Sequence, residues 1–254
     1  MKNSILSFTR ELIREFASGL PDLDSLLILL VAFAAWAFFC SEISAFLKTK
    51  KGLKTGYTRK TFHFLVFISA AIINLIFGFT GVCLFGIMVS GFIFYALIRR
   101  KSSGLYLALA RESDHPNSAL YIIIPYLSTL SGGVLVNYFF PDLVIIAYLV
   151  CGVADASGEV IGTRFGKHRF RVNIFNIHKS VKSLEGSGSV LLFSFLIYAV
   201  YSLLAGQTLN AGMIGWIFLA SLIVSLVEIL TPKGFDNLTI QITAVLVFQY
   251  FIYG

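Results

Sequence analysis

Apolar runs long enough to cross a bilayer constrain this chain most: residues 25–47, 61–79, 81–98, 120–140, 143–162, 188–205, 212–230 and 238–253 carry few charges. At about 1.5 Å per residue, an apolar helix of about 17–25 residues spans a hydrocarbon core of about 30 Å. Backbone N–H and C=O groups inside a membrane must be satisfied within the segment, so these runs predict helices. The last run is the least apolar, because Thr239, Gln241 and Thr243 fall in its first half. The second and third are joined only by Gly78–Gly81, which predicts a tight hairpin. Pro125 and the Gly132–Gly133 pair are compatible with the fourth, since both residue types are common in membrane helices. The expected fold is all-α, a polytopic integral membrane bundle of about eight transmembrane helices. With 57% hydrophobic and 13% charged residues and a mean hydropathy of +0.84, a soluble globular domain is excluded.

Ahead of the first run, Ile5, Phe8, Leu12, Ile13 and Phe16 fall on helical spacing, with Arg10, Glu11, Arg14 and Glu15 elsewhere. This pattern reads as an amphipathic helix at the membrane interface rather than a cleaved signal peptide; a solvated helix fits it equally. The expected organisation is therefore an amphipathic segment over 1–24 and one membrane-embedded domain over 25–254. Cys40, Cys83 and Cys151 lie far apart in apolar runs and show neither metal nor disulfide spacing.

The net charge of +7 comes from 20 Lys and Arg against 13 Asp and Glu. Seventeen of the 20 basic residues lie in loops 48–60, 99–119, 163–187 and 231–237, which alternate with nearly uncharged connections. The positive-inside rule puts those four loops in the cytoplasm and both termini outside. In such a chain the basic excess points to anionic membrane lipid, not to nucleic acid. Nothing in the sequence specifies an oligomer.

Several titratable groups converge on the same face. Asp155 and Glu159 are four residues apart, so they project from one side of a helix. A carboxylate at mid-bilayer costs about 2.5–3.5 kcal/mol, so such a pair is expected to face a polar cavity or partner. Arg164, Lys167 and Lys182 follow, with Glu185, and the basic residues Arg59 and Lys60 precede His63 at the start of the second run. Glu228 and Asp236 flank the last loop. Carboxylates for a divalent cation and cations for phosphate make a nucleotide–metal site. A structural ion pair for Asp155 and Glu159, and lipid-headgroup attraction for the basic loop, are the plainer alternatives. His115, His168 and His178 read as solvated loop residues, and Asn237 after Asp236 reads equally as an N-cap pair.

The segment ADASGEVIGTRFGK over 154–167 resembles the signature of the polyprenol kinase family, which includes phytol, dolichol and CTP-dependent diacylglycerol kinases. Against the family pattern G-D-G-x-A-D-x-x-G-R-R-F-G-K, Asp155 and Glu159 take the two Asp positions. Gly162, Arg164, Phe165, Gly166 and Lys167 fall in register. Ala154 and Ala156 replace glycines, and Glu159 is one methylene longer than the family residue. KSLEGS at 182–187 looks like the second signature and is also similar to an element of CDP-diacylglycerol synthases. TRKTFHF at 58–64 and VEILTPKGFDNLTI at 227–240 resemble the opening and closing elements, so the likeness covers most of residues 58–240. Arg111–Glu112 resembles a further R-E pair.

The resemblance implies a membrane lipid-alcohol kinase that moves the γ-phosphate of CTP, with Mg²⁺, to an isoprenoid alcohol such as phytol, farnesol or dolichol. Under it, Asp155, Glu159, Glu185 and Asp236 are expected to hold the metal. Arg59, Lys60, Arg164, Gly166, Lys167, Ser183, Gly186 and Ser187 are expected to bind nucleotide. Lys182 is expected to neutralise the transferring phosphate, and His63 to accept the hydroxyl proton or to serve as a plain polar cap. Cytidylyltransferase-like synthesis of a CDP-lipid and diacylglycerol phosphorylation are the enzymatic alternatives. A secondary transporter is the alternative of another class.

Overall fold

The computed structural model describes residues 2–174 and 178–253. An N-terminal helix, α1 (Lys2–Ser18), precedes α2 (Leu23–Thr49), whose first turn is capped by the Asp22 carboxylate accepting from the Ser25 N–H at 3.0 Å. Then come α3 (Thr55–Arg99), the short α4 (Gly104–Leu109) and α5 (Leu120–Phe139). A helix of three parts follows: α6 (Val144–Leu149), a wide π turn over Val150–Asp155, and α7 (Ala156–Phe165). Strands β1 (Arg169–Ile174) and β2 (His178–Ser183) lead into α8 (Leu184–Leu204), α9 (Ala211–Leu230) and α10 (Asp236–Phe248).

Six helices among the described residues are long and apolar enough to cross a membrane: Leu23–Thr49, Thr55–Ser102, Leu120–Phe139, Pro141–Phe165, Leu184–Leu204 and Ala211–Leu230. They fit an integral membrane helical bundle. The sequence reading of about eight differs for two local reasons. Two of its runs are continuous in α3, broken at one residue, Gly78, where φ is +61° and ψ −157°. Only glycine takes that conformation without strain. The chain then doubles back, because α4, just past the end of α3, presents the Ala108 carbonyl to the Thr58 hydroxyl at 2.7 Å. The last run is divided between the 13-residue α10 and a π turn at Gln249–Tyr253.

The β1–β2 hairpin adds a two-stranded sheet to the otherwise helical bundle. Its strands pair antiparallel, with Arg169 opposite Ser183 and Phe170 opposite Lys182. The strict alternation of Arg169, Arg171 and Asn173 with Phe170, Val172 and Ile174 is a period-2 signal that the basic character of the loop obscured.

The apolar interior has two parts. One is built from α6, α8, α9 and α10 with residues of α3 and α5, and includes Tyr148, Val190, Tyr198 and Phe248; the other, from α2, α3 and α4 with Ile122 of α5, includes Cys40, Phe62, Phe85 and Ile93. Helices α7 and α8 meet through small residues: a Cβ on Gly186 would lie 2.7 Å from the Gly158 carbonyl oxygen and 3.3 Å from the Gly162 Cα. Such close backbone approach is a common basis of helix association in membranes. It brings the start of α8 against the helix that carries Asp155 and Glu159.

Candidate active site

The four basic segments meet at one end of the bundle around a charged cavity of about 970 Å³. Seven cationic side chains line it: Lys54, Arg59, Lys60, Arg111, Arg169, Lys182 and Lys233. They face five carboxylates: Asp114, Asp155, Glu159, Glu228 and Asp236. The excess of positive charge suits an anionic ligand.

Local geometry explains how the acids get there. The π turn ends at Asp155 and α7 begins at the next residue, so Asp155, Gly158, Glu159, Gly162 and Thr163 share the cavity face. Asp155 is buried at 3% exposure and pairs with Lys60, which is as deeply buried. The two carboxylate oxygens of Glu159 divide between Arg59 and Arg111, and Lys60 lies 3.9 Å away. The partners are thus α3 residues and Arg111, rather than the cations of the loop that follows α7. Lys182 pairs with Glu228 at the end of α9, and Lys233 pairs with Asp114 while lying 4.5 Å from the centre of the Tyr121 ring. Burial lowers the Lys233 pKa from its ordinary value. Such paired charges hold each cation in one place, which is the requirement for a preorganised phosphate site.

Two polar atoms here have no partner among the described residues. The Arg59 Nε and the Ser187 hydroxyl are buried without a hydrogen bond. A buried polar atom left unpaired costs about 1–3 kcal/mol, so both are open to a ligand. The start of α8 adds Lys182, Ser183, Gly186 and Ser187 to the same wall, with the Ser183 hydroxyl accepting from the Gly186 N–H at 3.1 Å. The N-terminal end of a helix favours anions.

Other residues singled out in the sequence lie elsewhere. Arg164 and Lys167 are exposed and off the cavity wall, because Arg164 is five residues from Glu159 and projects about 140° away around the helix. Arg164 instead lies 5.2 Å from the Phe165 ring. Gly166 sits at the end of α7, packed on the Gly162 carbonyl and Ser183. Glu185 turns to the exposed His168, accepting from its backbone N–H at 3.2 Å and meeting its Nδ1 at 2.8 Å. His115 lines the charged cavity, and the side chain of His178 lies outside the described residues. Asn237 does not cap α10; its amide donates to Thr129 Oγ1 at 2.7 Å and to the Pro125 carbonyl at 3.2 Å, tying α10 to α5. Lys233 and Asp114 were not among the expected site residues, and Glu228 was placed on the shared face without a role in the site. Their partners, Asp114 for Lys233 and Lys182 for Glu228, are distant in sequence, so no local spacing marked them.

A second cavity, of about 480 Å³ and almost wholly apolar, runs between α3 and α5 at the seam of the two cores. Arg59, Lys60 and Tyr121 line both cavities, so the two adjoin there. His63 lines the apolar one at its charged end. Its Nε2 is 2.8 Å from the Cys151 carbonyl and 3.4 Å from Asp155 Oδ2. A carbonyl only accepts, so Nε2 carries the proton, and in the neutral form of the ring Nδ1 is the acceptor.

The donor set can be tested for a metal. Asp155, Glu159, Glu228 and Asp236 present hard oxygen donors to one cavity, and Asp236 forms no ion pair among the described residues. That set fits Mg²⁺. His63, Cys151 and Asp155 also have ligand atoms within 4.8 Å of one another. They fit a metal poorly, because the facing His63 nitrogen is a donor and the Cys151 thiol points at the Asn237 carbonyl, 3.8 Å away.

No family model matches the chain, and no solved structure matches it. Among curated proteins it is similar to a phytol kinase of Synechocystis sp., 33% identical over 124 residues, which make up 46% of this chain and 50% of the relative. The chain thus spans about half the length of the curated relative that it matches. Together with a charged cavity joined to an apolar one, the match supports a relationship of this chain to the polyprenol and phytol kinase family.

Proposed function

We propose that this protein is a membrane lipid-alcohol kinase that transfers the γ-phosphoryl group of a nucleoside triphosphate, CTP by family resemblance, to an isoprenoid alcohol. The observation that carries the reading is the junction of the two cavities at Arg59, Lys60 and Tyr121. A charged chamber suits a triphosphate, an apolar one suits a lipid tail, and the junction is where an alcohol and a phosphate would meet. Similarity to a phytol kinase supports the same reaction class.

In this mechanism the triphosphate lies against Arg59, Arg111, Lys182 and Lys233, with the start of α8 beneath it. The Arg59 Nε and Ser187 hydroxyl gain the partners they lack. The acceptor hydroxyl oxygen attacks the γ-phosphorus and the bond to the β–γ bridging oxygen breaks, giving a lipid monophosphate and a nucleoside diphosphate. The hydroxyl proton passes to Nδ1 of His63. Cations held by Glu159 and Glu228 stabilise charge as it shifts to the leaving diphosphate, the main source of catalysis in phosphoryl transfer. Asp155, Glu159 and Asp236 would hold a divalent cation, whose chemistry there is to draw charge from the phosphate oxygens. The membrane would be crossed eight times if the two arms of α3 count separately and α10 with its π turn crosses as well. The basic end would be cytoplasmic, where nucleotide is available.

Purified protein incubated with lipid alcohols and γ-labelled CTP or ATP is expected to give labelled lipid monophosphate and unlabelled diphosphate. Release of pyrophosphate with a CDP-lipid would overturn the kinase reading in favour of cytidylyl transfer.

A further inference from the structure

The apolar cavity is lined in part, at its far end, by α1. It extends along α5 from Tyr121, at the charged junction, to Asn137, sixteen residues on, and at its far end it is lined by Phe79, Val82, Cys83 and Phe16 of α1. Sixteen residues of helix are about 24 Å, most of the thickness of a bilayer core and well beyond one leaflet.

Helix α1 is fixed at that far end by contacts on both walls. The Phe16 carbonyl accepts from the Thr80 hydroxyl at 3.1 Å, just past the break at Gly78. The Tyr138 hydroxyl donates to Glu11 at 2.6 Å, and the Phe8 ring stands edge-on to Tyr138 with centroids 4.7 Å apart. Thr80 belongs to the α3 wall and Tyr138 to the α5 wall, so α1 bridges the gap between them. Much of its remaining surface is exposed, including Ile13 at 61%. An amphipathic helix that only lay on the membrane would need none of these contacts.

We propose that α1 closes the acceptor cavity and that Phe16 sets the longest tail it admits. The inference rests on the lipid-alcohol kinase reading, and it adds a specificity-determining residue remote from the chemistry. A zigzag chain of C–C bonds of about 1.5 Å advances about 1.25 Å per bond, so about 24 Å holds one tail with roughly 16–19 carbons in line. Each methylene that finds room is worth about fourfold in binding, and a methylene that meets Phe16 loses that gain.

Cys83, only partly buried beside Phe16, reports occupancy without turnover, whereas Cys40 and Cys151 are buried. The experiment uses the wild-type protein, without nucleotide, and a series of single-tailed alcohols from about 8 to about 30 in-line carbons, the range set by the length above. Alkylation of Cys83 by a small maleimide is read by peptide mass. Tails in the middle of the series are expected to protect Cys83; short ones do not reach it and long ones do not enter. Phe16→Ala is expected to extend the upper limit and to raise the relative kcat/KM of an acceptor two carbons longer by about sixteenfold. Phe16→Trp is expected to shift both the other way. Protection independent of tail length, or none at any length, would overturn the proposal. So would limits unmoved by both Phe16 variants while alcohols are still phosphorylated, which leaves the kinase reading intact. Length-dependent protection that moves with Phe16, in a protein that phosphorylates no alcohol, would keep this role of α1 and remove the kinase reading.

Discussion

Lys182 gives the sharpest test of whether the cations act on phosphate or merely complete ion pairs. Its ammonium is paired with Glu228, and the side chains are 21% and 9% exposed. Lys182→Met keeps most of the stem but leaves the Glu228 carboxylate without its cation. Removing one partner of a buried pair costs about 3–5 kcal/mol; with Lys182 partly exposed, the lower end, about 3 kcal/mol, applies. For a chain of this size that is a fall in Tm of about 6–12 °C. If Lys182 also contacts the transferring phosphate, turnover falls by a further about 2.7–4 kcal/mol of transition-state stabilisation, or about 10²–10³-fold. The double variant Lys182→Met/Glu228→Gln separates the two effects, since it removes the stranded charge and the cation together. Its Tm is expected to return to within about 2–4 °C of wild type, by the near-neutral replacement of both members of a pair. Its turnover is expected to stay at least about a hundredfold low. The assay is thermal unfolding in detergent beside kcat for phosphorylation of a lipid alcohol. A double variant that regains wild-type turnover would refute the argument and make Lys182 a structural partner of Glu228 alone.

Three further outcomes follow from the same geometry. Asp155→Asn, which keeps the volume but removes the charge, is expected to abolish turnover and lower Tm, because Lys60 loses its buried partner; wild-type turnover across a range of Mg²⁺ would sink it. Arg111→Gln is expected to cost at least about tenfold in kcat/KM, while Arg164→Ala and Lys167→Ala, exposed and off the cavity, should cost less than about threefold, one charge-assisted hydrogen bond being worth about 1.5–3 kcal/mol. The reverse ranking would return the phosphate site to the end of α7. Single cysteines at positions 54, 101 and 167, in a background lacking Cys40, Cys83 and Cys151, are expected to react with an impermeant maleimide from the cytoplasmic side only. Labelling of any two from opposite sides would break the shared basic face.

Apolar run length and basic-loop alternation carry most of what one dimension can say about a membrane chain. A helix or a closed barrel is the only way to satisfy the backbone in lipid, and apolar runs of this length fit helices, so residues 25–254 read as a bundle from run length and composition. The alternation of charged and uncharged loops then anticipated that 48–60, 99–119, 163–187 and 231–237 meet at one end, where the charged cavity lies. Asp155 and Glu159 were readable as one face because i, i+4 is local geometry. Partnership is not local. The same local rule that joined Asp155 to Glu159 could not say that Arg59 and Arg111, 100 and 48 residues away in sequence, would reach Glu159 while Arg164 would not. Whether a side chain faces a cavity depends on which helices cross there, and that was decided by the glycine contacts between α7 and α8 and by the break at Gly78. The apolar cavity was invisible for the same reason: beyond Arg59, Lys60 and His63 at its charged end, most residues lining it between α3 and α5 are ordinary membrane-helix residues until α1 closes its far end.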